Sequence, residues 1–538
     1  MKKTLLFAAT ALAMLASCSQ SDDLNNAPVV AETNQAVEFS TYVGKTPVTR
    51  AGRAGSITTD NLKTGTHKDD GFGVFAYYTG TDKYNSNTVY TTEKTDGTSG
   101  QSSKKANFMY NQQVKWNGSA TESASKWEYS PIKYWPNDIA EDNNVDDQDA
   151  KGSETGGKLS FFAYAPYVDA AISETTKGIV AINGETTLAG GNVKSQDPIL
   201  SYIVAPAGNE VVDLLWGTKG STSTDVLNNA QNGATYNGSG TNFEKSILPN
   251  YSVNADLIKQ KTEGTVDFAF KHALSKVGGS ELYSTLSGGE NHGLMIKLET
   301  DELAGGGKTG GPFDNTETKV TVKEIKIEAR AKYDEDASSS LDDDEYMKSL
   351  RGDFNLATGQ WGIYTTTNFT TKGNGEAVTT HIINTGGTGT NVAGALNTTI
   401  AEPTETLEKN ATAWNGLVEG VLTTPKNVYA SEASPLVFIP GTTPELTITV
   451  DYLVRTKDTN LADEYSEVEQ KIKKVVTFAS PVALNKQYNI LIHLGLTRVK
   501  FTATVSDWVV DGDTNGNGTI DGGEAVNKQD VNLPLNVQ

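Results

Sequence analysis

Short runs of alternating apolar and polar residues, closed off by turn residues, constrain this chain more than anything else in it. From Ala36 to Val43, the residues Val37, Phe39, Thr41 and Val43 share one face and Glu38, Ser40 and Tyr42 the other, which is the two-residue period of a half-buried strand. Comparable runs recur at Phe72–Tyr78, Leu159–Tyr164, Ile199–Val204 and Glu210–Trp216. They continue at Val266–Val277, Lys319–Ala329, Leu436–Ile439, Glu445–Val454, Lys473–Phe478, Tyr488–Leu494 and Val499–Val505. The chain holds 52 Gly and only 16 Pro, and Gly with Thr, Asn and Ser supplies the turns between runs, as at Ala304–Gly311 and Gly386–Gly394. Helical periodicity is scarce; Thr459–Lys473 carries the best of it and reads equally well as a hairpin. The fold class is all-β. A chain of 538 residues exceeds what one core organises, so two β-sandwiches in tandem are expected. The linker-like Lys259–Gly264 divides them into residues 51–262 and 263–530.

The N-terminus is a leader. Met1, Lys2 and Lys3 precede an apolar run from Leu5 to Ala16, a secretory pattern too short for a stable membrane anchor. Leu15-Ala16-Ser17-Cys18 resembles the bacterial lipobox, which makes residues 1–18 a lipoprotein signal peptide. Cys18 is the one Cys in the sequence, so no disulfide forms within the chain, and acylation by diacylglyceryl and palmitate groups accounts for the thiol. The following Ser19-Gln20-Ser21-Asp22-Asp23 resembles the acidic stretch of surface-exported lipoproteins in Bacteroidetes. With 45 Lys and Arg against 66 Asp and Glu, the net charge of −21 argues against nucleic acid or anionic lipid as partner.

Three segments outside the core pattern carry chemistry. Lys45 to Ser56 is a small-residue, basic, exposed loop after the first strand, which with its tether forms residues 19–50. At the C-terminus, residues 531–538 alternate without a slip: Val531, Leu533, Leu535 and Val537 face one way, Asn532, Pro534, Asn536 and Gln538 the other. Such a segment suits an apolar groove, and Pro534 assigns it to an edge. The plainer alternative is the last strand of the second domain. Asp513, Asn515, Asn517, Thr519, Asp521 and Glu524, with Gly518 at the turn, match every ligand position of an EF-hand loop. No flanking helices accompany it, so an Asn/Gly turn competes with a weak Ca²⁺ site; no other cofactor is called for. His272 and His493 lie within apolar strands and read as core residues, and Arg351-Gly352-Asp353 falls inside a strand-turn phrase. The five His lack metal or acid–base spacing, and phosphate loops and nucleophile elbows are missing, so an enzyme is not expected.

Nine phrases in order resemble the fimbrillin family of Bacteroidales, the type V pilins. They include Phe72-Gly-Val-Phe-Ala-Tyr77, Trp127–Pro136, Leu159–Tyr167, Val212–Trp216, Phe270–Val277, Gly352–Trp361, Phe438–Pro440, Gln487–Leu491 and Ala503–Trp508. The resemblance implies two tandem β-sandwiches of transthyretin-like, Greek-key type and a structural subunit of a cell-surface pilus that serves adhesion. It also implies maturation: an Arg-specific protease cuts the loop between Arg50 and Ala51, with Arg53 as a second position. The strand bearing Val37, Phe39 and Val43 then leaves, and the tail bearing Val531, Leu533, Leu535 and Val537 fills a neighbour's groove. Partners would be other copies, related pilus subunits and the export and acylation machinery, at the outer-membrane surface and in the fimbrium. Two alternatives stand beside this: a non-polymerising tip or accessory subunit, and a surface glycan-binding lipoprotein stacking sugars on Trp116, Trp127 and Trp135.

Overall fold

A computed structural model describes residues 35–42, 57–85, 106–118, 125–136, 157–169, 172–182, 197–219, 253–258, 264–279, 293–298, 317–332, 346–363, 377–401, 414, 420–430, 434–495, 499–507 and 531–537, apart from isolated positions within these spans. The first strands are β1 (Glu38–Tyr42), β2 (Phe72–Gly80), β3 (Met109–Asn117), β4 (Lys126–Glu128), β5 (Lys158–Ala165), β6 (Gly178–Ile182), β7 (Ile199–Ile203), β8 (Leu215–Lys219) and β9 (Asn254–Leu257). Next come β10 (Thr265–His272), β11 (Ser275–Val277), β12 (Leu294–Leu298), β13 (Thr318–Lys332), β14 (Arg351–Asn355), β15 (Trp361–Ile363), β16 (Thr379–Asn384) and β17 (Val392–Ala395). The last are β18 (Lys426–Asn427), β19 (Leu436–Phe438), β20 (Thr443–Lys457), β21 (Tyr465–Phe478), β22 (Lys486–Leu494), β23 (Val499–Asp507), β24 (Val531–Leu533) and β25 (Leu535–Val537). Among the described residues the α-helix is limited to the five residues Thr59–Lys63. The chain is all-β, as its alternation requires.

The first sheet runs β1-β10-β8-β5-β2-β3-β4, with β9 beside β5. Its strands separate two cores. Phe75, Tyr77, Phe162, Tyr164 and Trp216 point to one face and pack with Leu200, Tyr202 and Phe354 of a four-stranded sheet, β15-β14-β7-β6. Phe72, Val74, Phe161, Ala163, Phe268 and Phe270 point to the other. Burial on both faces explains why β5 reads as an unbroken apolar and aromatic run. Gly73 is required here because a Cβ would sit 2.3 Å from the Tyr164 ring. The second sandwich packs a sheet of β18-β12-β22-β11-β19, extended by β23 and β24, on β17-β16-β13-β20-β21-β25.

One expectation needs correction, and one reading left open is decided. The boundary at 262/263 does not mark a change of sheet: β10 pairs with β1 and β8, because Val266, Phe268 and Phe270 continue the first sheet's core. The chain crosses over at Ala273 and Leu274, whose backbone bonds to Leu214 and Asn485. Further, β7 pairs with β14, so residues 199–203 and 351–355 share a sheet across that boundary. Thr459–Lys473 takes the hairpin reading. Glu445–Thr477 through Lys457–Tyr465 pair in one continuous antiparallel register, and the Asp458 carboxylate caps the turn by accepting from the Asn460 N–H.

The phrases singled out in the sequence are structural. In the Arg351-Gly352-Asp353 run, Asp353 is buried and accepts from Ser201 Oγ, while a Cβ on Gly352 would lie 2.9 Å from Trp361. His272 Nδ1 lies 2.7 Å from Asp213 Oδ2, and His493 Nε2 lies 3.0 Å from Thr502 Oγ1. His381 differs. It is fully buried under Gly208, neither ring nitrogen has a hydrogen-bond partner among the described residues, and burial lowers its pKa to about 3. The folded imidazole refuses a proton that the unfolded one takes near its ordinary value. Stability therefore falls by roughly 1.4 kcal/mol per pH unit from about 6.5 down to about 3. His381→Leu is expected to remove this contribution, reducing the stability lost between about pH 7 and about pH 4 by roughly 3 kcal/mol in denaturant titrations.

Candidate strand-exchange site

The first sheet curls until its ends meet, and β1 is the strand that closes it. On one side β1 pairs in parallel with β10, from Glu38–Thr265 to Tyr42–Ala269. On the other, the segment before β1 bonds to the chain following β4: Val37 N–H donates to Lys133 O at 2.9 Å and Trp135 N–H to Gln35 O at 3.0 Å. Alternation does the rest. Val37 and Phe39 point inward, at 1% and 6% exposure, while Glu38 and Ser40 face solvent. Ser40 Oγ bonds to Asp267 on β10.

Phe39 is the centre of an aromatic cage. Its ring lies 5.4 Å from Tyr129, 6.0 Å from Phe161 and Phe268, and 6.1 Å from Phe72, three of the four contacts being edge-on. The Tyr129 hydroxyl donates to Val37 O at 2.8 Å, and burial pushes its pKa up. Gly264 O accepts from both Glu38 N–H and Trp135 Nε1. Gly264 has a φ of +88°, and a Cβ there would lie 2.0 Å from the Gln35 side chain. Gly264→Ala should therefore strain this turn by about 1–2 kcal/mol and speed amide exchange across residues 37–42 while the rest of the first sheet stays protected.

Ile57 marks where the chain re-enters the body. It is buried, and its N–H donates to the Asp213 carboxylate at 2.9 Å, the same group that holds His272 on β10. Val43 and the expected cleavage positions Arg50, Ala51 and Arg53 lie outside the described residues, as do Cys18 and the candidate Ca²⁺ ligands Asp513, Asn515, Asn517, Thr519, Asp521 and Glu524. Among the described residues no cluster of three or more His, Cys, Asp or Glu side chains could hold a metal ion.

The C-terminal tail is divided between two sheets rather than running as one strand. Residues 531–533 pair antiparallel with β23 in one sheet of the second sandwich, and residues 535–537 pair with β21 in the other. Leu535 is half-buried against the core and Val537 is 41% exposed. Each half occupies a sheet edge through three residues, a shallower hold than the two-sided seat of β1.

The Trp residues that might have stacked sugars are mostly occupied. Trp127 and Trp135 are buried, packed on Phe72 and Phe161, and Lys63 Nζ lies 4.3 Å over the Trp116 ring. No sugar platform of these three rings exists. The closing strand, which alternation alone marks, was legible in the sequence; the caging role of Tyr129 was not, since the phrase Trp127–Pro136 that holds it has no strand periodicity.

No family model matches the sequence. A curated relative, the fimbrium subunit Fim1C of Phocaeicola vulgatus, is 24% identical over 364 residues, spanning 65% of this chain and 66% of that protein. The chain is thus similar, over about two thirds of its length, to a protein named as a fimbrium subunit. Solved structures similar to this chain include a fimbrial protein from Bacteroides vulgatus, 16% identical with a TM-score of 0.45, covering 88% of this chain and all of that one. A second, from Bacteroides uniformis and described as a cell adhesion protein, is 11% identical with a TM-score of 0.30, covering 88% of this chain and 99% of that one.

Proposed function

We propose that this protein is a structural subunit of a surface pilus, exported as a lipoprotein acylated at Cys18, cut after Arg50 and polymerised by donor-strand exchange. The observation that carries the reading is the seat of β1: an N-terminal strand that closes the first sheet, bonded on both sides, whose inward residues fill an aromatic cage. Its loss would leave the rest of the sheet continuous from β10 to β4 and open one strand-wide slot. The tail fits such a slot by spacing. Val37 and Phe39 occupy inward positions at a spacing of two, and Val531, Leu533, Leu535 and Val537 repeat that period in the sequence. The anchoring of Ile57 on Asp213 keeps the remainder in place when the preceding loop is cut. The name of the Phocaeicola relative, a fimbrium subunit, agrees with this use.

The test is electron microscopy of surface-sheared material with N-terminal sequencing of the polymer. Polymer subunits should begin at Ala51, or at Ala54 if Arg53 is used, and Arg50→Ala with Arg53→Ala should leave acylated monomers. Fibres whose subunits retain residues 37–42 would overturn the reading.

A further inference from the structure

The hairpin β20–β21 leaves a long strand edge without a covering strand. On its outer side β21 is paired by β25 only at Val476, Thr477 and Phe478; along Tyr465–Val475 no other strand among the described residues covers that edge. Uncovered edges invite pairing and are normally blunted by charge or twist. Here the charges are ordered: the sequence is Tyr465-Ser-Glu-Val-Glu-Gln470-Lys-Ile-Lys-Lys-Val475. Both acids precede Gln470 and the Lys residues follow it.

We infer that two copies of this chain associate edge to edge through β21, antiparallel and two-fold about Gln470. In that register Glu469 faces Lys471 of the second copy and Glu467 faces Lys473 of the second copy, each pair occurring twice by symmetry. On the opposite face Val468, 51% exposed, meets Ile472 of the second copy. Among the described residues Val468 is, with Tyr134, the most exposed large apolar residue, and the pairing gives it an apolar neighbour.

No other register does this. A slip of two residues sets Lys471 against itself or Glu469 against itself, and a slip of one sets the charged face against Val468 and Ile472. Parallel in-register pairing puts like against like at every position. The internal contacts continue the same alternation of sign across the sheet. Lys323 bonds to Glu469, Arg455 to Glu467, and Lys471 lies 3.7 Å from Asp451, so these three charges on β21 extend rows already begun in its own sheet. The overall charge of −21 opposes self-association, yet residues 465–475 carry two acids and three Lys. Charges beyond about 8–10 Å are screened at ordinary ionic strength, so the local pattern dominates the contact. An eleven-residue edge buries less than a tight dimer requires, which makes the pairing weak between lone subunits and strong only where many copies are arrayed. The pairing uses residues 465–475 and not the three positions, Val476, Thr477 and Phe478, that the tail covers on the same edge.

The test uses the full chain with Arg50→Ala and Arg53→Ala, to suppress strand exchange, and Cys18→Ser, to remove the lipid. Sedimentation velocity over a concentration series should show reversible dimer that dissociates as salt rises. The pair Glu467→Lys and Glu469→Lys, and separately the pair Lys471→Glu and Lys473→Glu, should each weaken self-association by at least about tenfold, because every cross-copy contact becomes like-charged. Mixing the two variants restores complementarity at all four contacts and should restore dimer, which a misfolded hairpin could not do. A wild-type chain monomeric throughout, or a mixture that stays monomeric, overturns the inference. So does a dimer that persists in either variant alone.

Discussion

Phe39→Ala in the uncleaved chain is expected to lower its unfolding free energy by about 3–5 kcal/mol, among the largest effects of any single side-chain truncation in the first sheet. The ring touches Phe72, Tyr129, Phe161 and Phe268, and these belong to four different segments that cannot all move inward to fill the gap. The collapse that softens many truncations is therefore unavailable. Glu38 and Ser40, one residue to either side, face solvent, so alanine there should cost well under about 1 kcal/mol. Urea titration of the uncleaved variants gives the comparison. The cleaved product adds a sharper contrast: a chain beginning at Ala51 contains no residue 39, so material cut from the wild-type and Phe39→Ala precursors is the same molecule. A Phe39 effect that vanishes at cleavage identifies β1 as a removable part of the folded state. A negligible effect in the precursor would show that the cage does not depend on this strand.

The sequence made β1 and the tail legible for one physical reason: a half-buried strand needs a period of two, and that period survives in the letters. Val37 with Phe39, and Val531 with Leu533, declare their faces without any partner being known. What alternation cannot declare is the partner. The parallel register of β1 on β10, 227 residues apart at Ser40 and Asp267, rests on long-range geometry that no local pattern encodes. The same gap displaced the domain boundary. Lys259–Gly264 has linker composition, but Gly264 serves as the positive-φ turn that starts β10 in the first sheet. Thr459–Lys473 was ambiguous because Glu and Lys at spacings of two and four satisfy both periods; the in-register partner strand β20 decided it. The phrase Gly352–Trp361 was visible, whereas its reason was not. Gly359, with a φ of +72°, lies beneath Trp216, where a Cβ would stand 2.4 Å from the indole, and Trp216 in turn donates to Leu356 O.

Deleting Val531–Gln538 is expected to abolish polymer while leaving a folded, secreted monomer. The asymmetry follows from where the tail sits and where it is proposed to go. On its own chain it adds two three-residue edge pairings, with Leu535 half-buried and Val537 exposed, so its removal should cost the monomer only about 1–2 kcal/mol. In the slot left by β1, four inward side chains at about 1.5–3 kcal/mol each would contribute roughly 6–12 kcal/mol before ordering costs. Loss of that term leaves no junction between subunits. Single substitutions sharpen the contrast, because donation demands the period of the slot. Leu533→Asp or Leu535→Asp should prevent fibres, while Asn532→Asp and Asn536→Asp, on the other face, should leave them. Electron microscopy gives the fibre readout, and thermal melting of each monomer controls for folding. If instead the truncated monomer melts as severely as the Phe39→Ala precursor, the tail is an integral strand of its own domain, and strand donation by this segment fails.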